Sequence, residues 1–143
     1  MLTFYLETAN RLVLDLIEMT RRDIGYVKRA EHEELFKHAS AKEEVVDSFE
    51  RHKALIDAEI AKMAAQRPGA SIEELLEPSQ REELERLRLS LLELKELNRQ
   101  LGRMVLAVAD FYKTLISRIA PGHEGTGYTQ TIPQMRSSLQ IRA

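Results

Sequence analysis

Between Leu84 and Ile119 apolar residues return at every third or fourth position: Leu84, Leu87, Leu91, Leu94, then Asn98, Leu101, Val105, Val108, Tyr112, Leu115 and Ile119. That alternation predicts one apolar stripe along a single α-helix, about 54 Å long at a rise of 1.5 Å per residue. Asn98 is the one polar interruption. Most helical stability in proteins comes from burying such a face, so the stripe demands a partner. The partner is the chain itself, a second copy or another protein.

The N-terminal half carries the same period. Leu2 to about Lys37 predicts a first helix, with Leu6, Ala9, Val13, Leu16, Ile17, Thr20, Ile24 and Val27 on one face. After Val27 the stripe thins, because Glu31 and Glu34 fall where apolar residues are expected. A turn is expected near His38-Ala39-Ser40, since Ser40-Ala41-Lys42-Glu43 has the Ser-x-x-Glu form in which two side chains satisfy orphan N–H groups. The same four residues also fit inside one continuous helix. A second helix over 41–66 carries Val45, Val46, Phe49, His52, Ile56, Ile60 and Met63, and Pro68-Gly69 stops it.

Ser71-Ile72-Glu73-Glu74 predicts a short connector helix over 72–77, packed by Ile72, Leu75 and Leu76. Ser79-Gln80-Arg81-Glu82 repeats the box and opens the long third helix, 79–119, which ends at Ala120-Pro121-Gly122. Residues 1–120 are therefore expected to be all-α, an antiparallel three-helix bundle or a long helical hairpin. Residues 121–143 hold half of the glycines and half of the prolines of the chain. They are expected to be a flexible tail, disordered until bound, with Tyr128, Ile132, Met135, Leu139 and Ile141 as anchors.

In the second half of the long helix the stripe widens. Leu97, Met104 and Phe111 lie seven apart beside the seam, and Ile116 adds to the other flank. A two-stranded coil needs only a narrow seam, whereas a wide one packs against two neighbours. The ordinary reading is the core of a bundle made by this chain; the functional one is a groove held for a partner helix. The two are compatible. Asn98 fits three roles equally, fixing register in a core, facing the rim, or hydrogen-bonding across an interface.

Composition supports long helices and narrows the chemistry. Charged residues make up 31% of the 143 positions and aromatics 6%. The absence of cysteine removes disulfides, thiolate nucleophiles and cysteine-bound metal. The 21 basic and 23 acidic residues are interleaved, for a net charge of −2, with no basic stripe for nucleic acid or a membrane surface. No apolar run is long enough for a membrane span, and the N-terminus has no signal-peptide pattern, so a cytoplasmic location is expected.

Candidate catalytic groups do not assemble into a motif. His32 and His38 stand six apart, about 600° of helix rotation, and do not share a face as an i, i+4 metal pair does. His32-Glu33-Glu34 begins like a zinc-protease helix, but Phe36 occupies the place of the second histidine. No Glu-x-x-His precedes any of the four histidines, which excludes the di-iron bundle pattern. His52-Lys53-Ala54 lacks the small residues a phosphotransfer histidine needs, and His52 reads as a half-buried flank. No Gly-rich phosphate loop is present. An enzyme, a cofactor and a metal are all unexpected.

Three ordered features are similar to one known family. Asp23-Ile24-Gly25-Tyr26-Val27-Lys28-Arg29, with Ala41-Lys42-Glu43-Glu44-Val45-Val46-Asp47-Ser48-Phe49, looks like its acidic-Lys, paired-aliphatic stretch. Leu94-Lys95-Glu96-Leu97-Asn98-Arg99-Gln100-Leu101-Gly102 is similar to its Leu-x-x-Leu-Asn segment, and Gly125-Thr126-Gly127-Tyr128 to its Gly-rich tail with a tyrosine. On these segments the chain resembles the FlgN family of flagellar type III export chaperones. It departs from the family in having Thr129 after Tyr128, and Leu101-Gly102 where a second asparagine often follows.

The resemblance implies a small cytoplasmic helical chaperone. Its cargo would be the hook–filament junction proteins FlgK and FlgL, whose polymerisation-prone helices it would shield and deliver to the export gate protein FlhA. The implied cargo face is Leu97, Asn98, Leu101, Met104, Val105, Val108, Phe111, Tyr112 and Leu115, and the implied gate contact is Tyr128. The alternative is a structural coiled-coil adaptor or export-stalk-like protein that self-associates, for example as a homodimer, through the long helix.

Overall fold

A computed structural model describes residues 1–119, and among them all regular structure is helical. Four helices follow in order: α1 (Leu2–Lys28), α2 (His32–Gln66), α3 (Ile72–Leu75) and α4 (Pro78–Ile119). The residues expected to form the tail, 121–143, lie outside the described part.

α1 is the helix on which α2 and α4 converge. It packs against both α2 and α4, while the backbones of α2 and α4 hardly approach each other. Its stripe is buried along its whole length, from Leu2 through Leu6, Ala9, Val13, Leu16, Ile17, Thr20 and Ile24 to Val27. Facing two neighbours also buries polar positions off that stripe, Thr8, Asn10 and Asp23. Fully burying a side chain such as Leu6 or Leu16 contributes about 1.5–3 kcal/mol each, so α1 anchors the fold.

Polar contacts set the directions. Thr3 accepts from Gln80 Nε2 at 3.1 Å, Asn10 Nδ2 donates to Glu83 Oε2 at 2.7 Å, and Arg21 pairs with Glu93. Numbers rise together, so α1 and α4 run parallel. Between α1 and α2 the order reverses: Tyr5 meets the His52 ring edge, Asp23 pairs with Lys42, and Tyr26 stacks on His38. These helices run antiparallel.

The turn between α1 and α2 falls earlier than the sequence predicts. α1 stops at Lys28 rather than near Lys37, and Ser40-Ala41-Lys42-Glu43 lies within α2 instead of capping it. The cause is a C-terminal turn made without glycine. Ala30 takes the left-handed conformation, φ +57°, its N–H bonds to Val27 O at 3.1 Å, and the Glu31 N–H reaches Tyr26 O at 2.8 Å. This pair of bonds is the Schellman pattern, which glycine ordinarily serves. Arg29 fastens the turn by lying over the Tyr26 ring and pairing with Glu31 at 3.1 Å. The thinning of the stripe at Glu31 marked this break.

The other ends follow local chemistry. Gly69 at φ +85° takes the chain away from α2. Ser71 caps α3, its Oγ accepting from Glu74 N at 3.3 Å, but α3 is one turn over 72–75 rather than 72–77. Leu75 and Leu76 are buried, whereas Ile72 is exposed. α4 begins at Pro78, not at Ser79. Glu77 O accepts the first helical bond from Arg81 N, and Gln80 Oε1 reaches back to Glu77 N at 3.0 Å. Proline suits the first helical position because its missing N–H would be an orphan there.

Candidate helix-docking site on α4

The site depends on a mismatch of lengths. α4 has 42 residues and α1 has 27, roughly 63 and 40 Å at the helical rise. Their N-terminal ends are level, since Thr3 meets Gln80, and their last shared core residues are Ile24 and Val27 with Leu101 and Val105. Beyond Val105 α4 therefore runs on for roughly 20 Å without α1 beside it. The start of α2 reaches it there, with the His32 ring edge-on to Tyr112, centroids 6.0 Å apart.

This geometry sorts the sequence-predicted face into three groups. Leu101 and Val105 belong to the chain's own core, and Leu101 has no exposed surface at all. Leu97, Met104 and Val108 are half-buried against that core, and Asn98 and Tyr112 are half-buried as well. Phe111 and Leu115, by contrast, are 63% and 39% exposed. The change from core to open face thus comes after Val108, not at the widening near Leu97. α1 ends there, and Phe111 and Leu115 sit on the side of α4 that α1 covers lower down. Tyr128 lies outside the described residues.

Asn98 lies between the buried Leu94 and Leu101, and its Oδ1 is buried without a hydrogen-bond partner. Near the same level is a feature the sequence reading missed. Lys42 Nζ donates to Asp23 Oδ2 at 3.1 Å, and the two side chains are only 9% and 8% exposed. Burial lowers the Lys42 pKa from its ordinary value, more than Asp23 raises it. Burial likewise raises the Asp23 carboxyl, against the pull of Lys42 and a smaller one from His38. A signal existed: Lys42 stands seven after Leu35 and four before Val46, on the buried face of α2.

The three histidines among the described residues do not converge. His38 stacks on Tyr26, His52 Nδ1 lies 2.9 Å from Ser48 O, and His32 rests on Tyr112. Among the described residues no group of three or more His, Asp or Glu is placed to hold a metal ion, and no helix is long and apolar enough to cross a membrane. What the arrangement offers is apolar surface on a helix. Comparison with known protein families, with characterised proteins and with solved structures finds no match.

Proposed function

We propose that this chain is a helix-binding chaperone of the FlgN type, which shields an amphipathic helix of a hook–filament junction protein of the FlgK or FlgL class until export. The observation that carries the reading is the free end of α4, where Phe111 and Leu115 stay open to solvent past the end of α1. An apolar helical face exposed among the described residues favours a helical occupant. The segments resembling the FlgN family support the same reading.

In this reading α1, α2 and α4 form an up-down-up antiparallel bundle in the cytoplasm, and the last turns of α4 are its cargo face. Tyr128, in the segment that follows, is the proposed contact for the gate protein FlhA. Self-association through α4 is the weaker reading. Leu87, Leu94, Leu101 and Val105 are spent inside the chain, so the seam that would join two copies is mostly taken. A standard interface engages about 20–30 residues on each side.

Co-expression with a FlgK- or FlgL-class protein tests the proposal. The junction protein is expected to co-purify with the full chain, and a version lacking residues 121–143 is expected to keep cargo but lose FlhA. No capture of either junction protein by the folded full chain would refute it.

A further inference from the structure

The core of this protein is two clusters rather than one. The larger joins Leu2, Leu6, Val13, Phe49, Leu87 and Leu94 with their neighbours; the smaller holds only Ile24, Val27, Leu35, Leu101 and Val105. Each of the three long helices carries a polar residue where one cluster gives way to the other. On α1 these are Thr20 and Asp23, on α2 Lys42, and on α4 Asn98. Thr20 Oγ1 turns back to Leu16 O at 2.7 Å, Asp23 pairs with Lys42, and Asn98 Oδ1 is unpartnered. Leu97 is the residue that packs against both clusters.

A small cluster joined to a large one through a polar layer opens at a lower free energy than the whole molecule, because little apolar contact crosses the layer. The strained left-handed Ala30 in the adjoining turn adds to the tendency. Opening of the α1–α2 end would uncover Leu101 and Val105, which continue the face already exposed at Phe111 and Leu115.

We propose that α4 carries a docking strip, Leu101, Met104, Val105, Val108, Phe111 and Leu115, whose first half, up to Val108, is closed by the last turns of α1 and the first turns of α2, and which one amphipathic partner helix takes over along its whole length when they swing away at the polar layer. The occupant is a helix because helices cover the first half of the strip now, and its ridge spacing suits another. The strip spans roughly 21 Å, so about four turns of partner helix fill it. This inference rests on the helix-binding reading above and adds how buried residues of that face become available.

The absence of cysteine makes a direct test simple. Val105→Cys and Val13→Cys place a thiol in the small and the large cluster of the full-length chain, and alkylation rates report opening at each. Val105→Cys is expected to react about 100-fold faster than Val13→Cys, and adding Asn98→Leu, which bridges the layer, is expected to slow only the former, about 10-fold. An excess of a peptide copying α1 residues 12–28 is expected to protect Val105→Cys from alkylation, and a scrambled peptide is not. Equal rates at the two sites overturn the opening, and fast labelling without peptide protection overturns the helical occupant. Because these readouts involve no junction protein, their failure is separate from failure to capture one.

Discussion

Removing the ammonium of Lys42 is the most demanding test of the packing described above. Asp23 and Lys42 are each more than nine-tenths enclosed, with Nζ and Oδ2 3.1 Å apart. In Lys42→Met the chain keeps nearly the same volume, but the Asp23 carboxylate is buried with no cation. Breaking such a pair from one side costs about 3–5 kcal/mol, a large part of the 5–15 kcal/mol that holds a typical domain together. The loss is read as a lowered urea midpoint at unchanged slope. Burial already holds Asp23 above its ordinary value of 3.8 with Lys42 present, and removing Lys42 raises it further. A carboxyl with a raised folded pKa destabilises the fold above that pKa and ceases to do so once protonated in both states. The deficit of Lys42→Met should therefore shrink as pH falls from neutrality towards 4. For both partners burial opposes the charged form more than the pairing favours it. Asp23→Leu combined with Lys42→Met should then match the wild-type chain or exceed it by about 1–3 kcal/mol. A single variant within about 1 kcal/mol of wild type, or a double variant as unstable as the single one, would refute the reasoning.

The remaining predictions separate core from surface. Leu101→Ala should cost about 2–5 kcal/mol in chemical unfolding, because the residue is fully enclosed. Phe111→Ala should leave unfolding within about 0.5 kcal/mol of wild type yet weaken capture of a junction-protein helix by about 2 kcal/mol or more in a titration. Ala30→Gly should raise stability by about 0.5–1 kcal/mol, the relief of the left-handed strain exceeding the added freedom of the unfolded chain. A lower melting temperature for that variant would count against the turn as described.

The sequence by itself determined that the described chain is helical and which face of α1 is buried. The positions spaced three and four apart in α1, from Leu6 to Val27, are all enclosed, because helical period and apolar burial are properties of a single segment. Pro68-Gly69 and the Ser71 cap were legible for the same reason. Local pattern misplaced the α1–α2 turn, since Ser40-Ala41-Lys42-Glu43 offers a cap that α2 does not use. The break instead falls at Ala30, a residue with no turn preference, where Arg29, Tyr26 and Glu31 together hold it. Only the tertiary structure decided that Asp23 and Lys42 meet, and where α1 stops beside α4. Those facts depend on the registration of one helix against another, and they divide the apolar stripe of α4 into core up to Val105 and open face at Phe111 and Leu115.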